Sequence, residues 1–330
     1  MTSVRRMPAE WAAHERTLMA WPCRRELWGP TLEEARSDYA TVINAIAAFE
    51  PVTVLARPED VADARAASTG AVEVVAREID DSWLRDSGPI FVLGDDGSRT
   101  GVHFQFNGWG GKFAPWNGDE AAGAWLADRH GDAAEEAPLV LEGGSIAIDG
   151  EGVLLTTEQC LLHPNRNPDL SREEIEAALR QRLGATRIVW LGEGLVEDRD
   201  TDGHVDLIAS FCGPGRALLQ VVPEGNSNFD ACEENRRRAQ AAGIDVVELD
   251  QLAYVEVAGE PIAVSYLNHY VCNGAVIVPV AQSEDDEPAL AMIGSAFPGR
   301  EVVAVPGRVL AYGGGGPHCI TQQVPARGSR

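Results

Sequence analysis

Apolar and polar positions along the chain fall into a recurring order: an apolar strand, a Gly-rich turn, a second apolar strand, an amphipathic helix and a short β-branched strand. Five copies are legible. The third is the most regular, with strands at 145–148 and 153–156 around the turn Asp149-Gly150-Glu151-Gly152, a helix opened by Ser171, and a strand at 187–191. Glu174, three residues after Ser171, completes a capping-box signature. The second copy has strands at 88–93 and 101–106 around Gly94-Asp95-Asp96-Gly97, a helix over 119–129 and a strand at 138–141. The Asp-Gly pair in that turn is a hairpin signal. The fourth runs from a strand at 204–211 through 217–222 and a helix over 228–242 to 245–249. The fifth has 266–272, Asn273-Gly274, 275–280, a helix over 286–297 and 301–305. The first is split: 17–21, a helix over 31–49 and 52–55 lie at one end of the chain, and 319–322 at the other. Pairing the two ends would close a ring of five ββαβ-type units.

This grammar predicts an α/β protein in one domain spanning 1–330. A repeat by itself buries hydrophobic faces and nothing more. Here, however, Asp86, Glu142, His204, Asn268 and Cys319 occupy equivalent junctions, each where one unit ends and the next hairpin starts, 51 to 64 residues apart. In a closed ring these junctions converge at one end of the central axis.

Of 330 residues, 45% are hydrophobic, enough for a large core. With 51 acidic against 27 basic residues, the net charge of −24 opposes a phosphate-tracking surface, so nucleic acid is excluded as a partner. The charge suits small cations. Lys112 is the one lysine in the sequence, read as codon bias. No apolar run approaches the ~20 residues of a membrane span, and the N-terminus lacks a secretory pattern, so a cytoplasmic location is expected. Cys23, Cys160, Cys212, Cys232, Cys272 and Cys319 show no CxxC and no Cys/His ligand spacing. A disulfide framework and a structural zinc site are therefore not expected.

The strongest local signal is Gly313-Gly314-Gly315-Gly316-Pro317-His318-Cys319-Ile320-Thr321, because four glycines allow a ligand to approach the following thiol closely. The other five cysteines read as small buried side chains. In Asp202-Gly203-His204-Val205-Asp206, strand alternation would put His204 and Asp206 on one face. A hydrolytic metal needs about three protein ligands, and no second His-rich motif supplies them. Asp200, Asp202 and Glu197 read individually as a solvated acidic turn, and the run Glu284-Asp285-Asp286-Glu287 as a solvated helix start. Asp81-Ser82-Trp83-Leu84-Arg85-Asp86 sets an aromatic ring and an acid before a strand, where Asp86 either caps the turn or holds a cation. Glu142, between an apolar strand and two glycines, needs a partner, for which a protonated imidazole would serve. A thiol, an imidazole and several carboxylates suit a planar, carbon-centred cation, because carboxylates bind guanidinium bidentately. A protease oxyanion hole would be opposed by the same acids.

Met7-Pro8-Ala9-Glu10-Trp11, Trp83 to Pro89, Phe106-Asn107-Gly108-Trp109-Gly110-Gly111-Lys112, Glu142-Gly143-Gly144, Asp202 to Asp206, Ser265-Tyr266-Leu267-Asn268 and His318 to Gln323 occur in the order seen in a known group. Across nearly its whole length the chain resembles the agmatine deiminase and bacterial peptidylarginine deiminase family of guanidino-group-modifying enzymes, which have the pentein fold. The resemblance implies a five-bladed α/β propeller around a central active site. Cys319 would attack the guanidinium carbon, Asp86 and Asp206 would clamp its nitrogens, and His204, supported by Glu142, would move protons. Trp83 would wall the alkyl chain, and Asp200 would meet a distal ammonium. For agmatine the products are N-carbamoylputrescine and ammonia, with no metal and no organic cofactor. A homodimer is also implied. Gly316-Pro317 and Leu207 depart from the family pattern and bear on the substrate. Another alkylguanidine, peptidyl-arginine, amidino transfer to an amine, or a catalytically silent guanidine-binding protein are the alternatives. On this reading an alkylguanidine is turned over at an undiminished rate in the presence of a chelator; abolition of ammonia release by chelator would overturn the metal-free mechanism.

Overall fold

The computed structural model describes residues 5–328. Four of its sheets share one construction. An antiparallel hairpin is followed by a helix, which returns the chain to a strand parallel to the second hairpin strand. In the third unit, Ile146–Ile148 pairs antiparallel with Val153–Thr157, and Arg187–Leu191 lies parallel to the latter after the helix Arg172–Leu183. Ser171 caps that helix from both directions of the capping box, with Glu174 returning to the Ser171 amide. The second unit (Ile90–Gly94, Arg99–Gln105, Ala133–Val140), the fourth (Ala209–Gly213, Arg216–Gln220, Asp245–Leu249) and the fifth (Tyr270–Cys272, Ala275–Val280, Glu301–Pro306) repeat the pattern.

The split unit is joined as expected: Thr321–Pro325 pairs antiparallel with His14–Ala20, opposing Thr321 to Met19, and Val52–Ala56 runs parallel on the other side. Each sheet remains separate, and the two chain ends pair within one of them. A strand covered on both faces is mostly apolar, as Val52–Ala56 shows, with all five residues buried and Thr53 its one polar side chain. Among the described residues no helix is long and apolar enough to cross a membrane.

Several expectations are corrected. The strand expected over 204–211 begins only at Ala209, and Val205–Leu207 is a 3-10 turn. The Asp198 carboxylate accepts the backbone amides of Thr201, Gly203 and His204, winding that segment into a loop in which Asp202 sits at φ 63°. Such side-chain capture of successive amides competes with ladder pairing. Similarly, the strand expected from 266 starts at Tyr270, because Ser265 accepts the Leu267 and Asn268 amides in a turn. Cys319, expected to open a strand at 319–322, stands two residues ahead of the observed strand Thr321–Pro325. Two further elements had no clear signal, the strand Val72–Ala76 and the hairpin Ala253–Val257 with Glu260–Val264.

Candidate active site

All five junction residues are buried, and they approach one another. Asn268 donates its amide to Cys319 Sγ at 3.1 Å and accepts the Cys319 backbone amide at 3.3 Å. The thiol donates to Asp206 Oδ2 at 3.3 Å. The His204 ring lies with Nδ1 3.9 Å from Asp86 Oδ2 and Nε2 4.0 Å from Glu142 Oε2. His204 and Asp206 thus share the site because a 3-10 turn stacks them there, not because a strand alternates.

Glycine makes this crowding feasible. A Cβ on Gly144 would stand 2.7 Å from His204 Nδ1, 2.8 Å from Asp86 Oδ1 and 2.9 Å from Asp206 Oδ2. At Gly315 it would meet both Cys319 Sγ and the Trp83 ring at 2.8 Å, so a side chain at that position would crowd both the sulfur and the indole. Asp86 sits on the short helix Leu84–Ser87 and is held by the Gly144 amide at 2.8 Å and by Trp109 Nε1 at 2.9 Å. Trp109 reaches it from a strained turn, φ 55°, set within Gly108, Gly110 and Gly111, all at positive φ.

Sulfur and acids open on a throat of about 20 Å³ walled by Trp83, Trp109 and Phe113, with Asp200 at its side. Asp200 also lines an adjoining outer cavity of about 370 Å³ together with Leu207, Asn268 and Gly316. Trp83 is fixed by stacking on Trp28, their centroids 5.7 Å apart.

Several functional partners escaped the sequence reading. Glu142, expected to pair with a protonated imidazole, has the His204 ring 4.0 Å from Oε2 and a second, closer partner in Arg166, whose Nε lies 2.6 Å from Oε1 with neither side chain exposed. The same guanidinium donates to Asp202 Oδ2 at 2.7 Å and to the Thr201 carbonyl at 2.9 Å. Lys112, dismissed as codon bias, donates to the Arg199 and Asp200 carbonyls and to Asp202 Oδ1, so it pins the loop that presents Asp200. Neither cation has a local sequence signal, since both act across loops distant in the chain. Cys160, read as an inert core thiol, lies within 4.8 Å of donor atoms of His204 and Glu142, a set of three potential metal ligands. The Arg166 charge beside Glu142 opposes a divalent ion at that point.

Burial dominates the electrostatics. It lifts the Asp86 carboxyl to about 6, with Asp206 and Glu142 reinforcing and His204 opposing. Burial also pushes the Cys319 thiol well up, as do the charges of Asp206 and Asp86. For Asp206 burial is outweighed by the His318 hydrogen bond and charge, leaving the carboxyl below its ordinary range. His204 is burdened by burial yet raised overall, chiefly by Asp86. Asp200 is raised by burial and by Asp198.

Truncating Arg166 to Met leaves Glu142 as an uncompensated buried charge, which should cost about 3–5 kcal/mol in denaturant unfolding. A loss below ~1 kcal/mol would show that the pair is not what neutralises Glu142.

The curated agmatine deiminase of Stutzerimonas stutzeri is 42% identical to this chain, covering 97% of it and 95% of its own length. A putative agmatine deiminase of Legionella pneumophila is 40% identical over 97% of this chain and 94% of its own. Among solved structures, the agmatine deiminase of Enterococcus faecalis superposes with a TM-score of 0.92 at 32% identity, covering 98% of this chain and 96% of that one. DDAH from Pseudomonas aeruginosa, 14% identical with a TM-score of 0.56, shares the α/β fold alone, over 94% of this chain and 99% of that one. The family model for Porphyromonas-type peptidyl-arginine deiminase matches residues 6–325, and the chain belongs to that family.

Proposed function

We propose that the protein hydrolyses the guanidinium group of agmatine to N-carbamoylputrescine and ammonia through a covalent adduct on Cys319, with no metal or organic cofactor. The observation that carries this reading is a thiol and Asp86 lining an aromatic throat, with the buried His204, Asp206 and Glu142 packed against them. We read the five strand–helix units as blades of an α/β propeller in a single domain, with the junctions around its axis. We also read the protein as a cytoplasmic homodimer, on the family resemblance.

Chemistry follows from charge. Asp86 and Asp206 clamp the guanidinium nitrogens, and the arriving cation offsets the field that holds the Cys319 proton. Cys319 loses its proton to solvent as the cation binds, and its sulfur attacks the guanidinium carbon, so that a C–S bond forms while the C=N π pair moves onto nitrogen. The C–N bond breaks, and His204, as imidazolium, gives the departing nitrogen its proton so that it leaves as ammonia. The neutral imidazole then takes a proton from water as its oxygen adds to the thiouronium carbon. Collapse breaks C–S and releases the ureido product with the sulfur restored. Glu142 supports the imidazolium and is itself paired by Arg166. Trp83 walls the alkyl chain.

Substrate choice falls to the acid beyond the throat. Asp200 suits the terminal ammonium of agmatine and repels the carboxylate of free arginine. Leu207 and Gly316 line the outer cavity, not the throat, so these departures bear on what extends past the guanidinium. Another alkylguanidine is therefore the second reading.

Ammonia and ureido product should form from agmatine and not from free arginine or arginine peptides, and Cys319→Ala should reduce turnover by roughly 10³-fold or more. Retained turnover in that variant, or a preference for peptides, would overturn the assignment. Because Asp86 binds a cation only when ionised, and its carboxyl is lifted to about 6, kcat/KM should fall as pH drops through that value, by about tenfold per unit below it. A flat acid limb down to pH 5 would contradict the role given to Asp86.

A further inference from the structure

Behind the nucleophile, on the side away from Trp83 and Trp109, runs a second line of titratable groups that the mechanism above does not use. Asp206 Oδ2, which accepts the Cys319 thiol, also accepts His318 Nδ1 at 2.8 Å. The other ring nitrogen of His318, Nε2, lies 2.9 Å from Glu10 Oε2. Glu10 is fixed in turn by the Val271 amide on Oε1 at 2.7 Å and faces Arg85 Nη2 at 3.8 Å. Arg85 Nε holds the His318 carbonyl at 3.2 Å, so the backbone next to the nucleophile is tied to the same cluster. These groups border a rear cavity of about 40 Å³, large enough for water, whose lining includes Glu10, Arg85, Asp206, Ser210, His318 and Gln323. That lining shares no residue with the aromatic throat.

We propose that Glu10 and His318 are positioning residues for the reaction: Glu10 holds the His318 ring as a doubly donating imidazolium, which fixes Asp206 and sets a positive charge beside the Cys319 sulfur. A ring with both nitrogens against carboxylate oxygens donates from both only when protonated. The groups facing it are Glu10, Asp206, Arg85, Cys319 and His269. Burial and Arg85 disfavour the cation, but Glu10 and Asp206 outweigh them and raise His318 overall. Burial pushes the His269 ring down to about 4, so it is neutral and adds no charge. The rear cavity lets His318 equilibrate with water from a side that substrate does not plug. The proposal rests on the thiol chemistry assigned above, though not on the identity of the guanidine.

The test is alkylation of Cys319 by iodoacetamide across pH 6 to 10, read by intact mass on the full-length protein, with melting curves confirming folding. In His318→Gln the midpoint of labelling should rise by about one pH unit, equivalent to roughly tenfold slower reaction on the acid side. Glu10→Gln should move it the same way, because the ring then loses its proton earlier; Glu10→Asp should restore most of the difference. A structural role alone would lower melting temperatures without moving the midpoint. Midpoints within about 0.2 unit of wild type in both glutamine variants would overturn the proposal, and the second variant serves if the first fails to fold. Labelling needs no substrate, so absence of agmatine turnover with the midpoint shift intact would sink the substrate assignment and leave this relay standing.

Discussion

Buried carboxylates are the constraint on which the centre of this protein is built. Glu142, Asp86 and Asp206 are almost wholly withdrawn from water, and Glu10 is shielded beside them. An isolated buried charge is costly, so each acid requires a cation or donors. Arg166 meets Glu142, His318 meets Asp206 and Glu10, Arg85 stands near Glu10, and the Trp109 and Gly144 N–H groups meet Asp86. Asp86 is the acid left with dipoles in direct contact and a histidine 3.9 Å away. Burial without a cation in direct contact is what lifts its carboxyl.

The scaffold serves that charge arrangement through its backbone. Each junction delivers one polar side chain at the end of an apolar strand or turn, and rigid sheets fix where it stands. Gly144 and Gly315 remove the Cβ atoms that would separate imidazole, acids and sulfur. Pairing of Thr321–Pro325 with His14–Ala20 locates Cys319 against units made from the rest of the chain. Two residues at the site occupy left-handed conformations: Trp109 presents an indole to Asp86, and Asp202 receives Arg166 and Lys112.

Where local pattern and local physics agree, the chain is readable. The Ser171 helix is an example: capping box, amphipathic spacing and a left-handed Gly184 at its end all point one way. Around 198–208 they disagree. Val205, Leu207 and Ile208 look like strand residues, but Asp198 captures three amides and the strand starts late. Lys112 and Arg166 carry no pattern at all, because an isolated cation in a polar loop looks the same whether it is solvated or buried against a carboxylate.

Hydrophobic periodicity, turn residues and recurring polar junctions were sufficient to determine the repeated units, the joining of the chain ends and the candidacy of Cys319, His204, Glu142, Asp86 and Asp206, since all of these are written as short-range order. Tertiary structure alone decided which acid meets which cation. Glu142 met Arg166 as well as His204, and His318 came to rest between Asp206 and Glu10. Such pairings depend on distances of a few ångströms between segments far apart in the chain, where Coulomb energy and desolvation change steeply and spacing along the sequence carries no information about either.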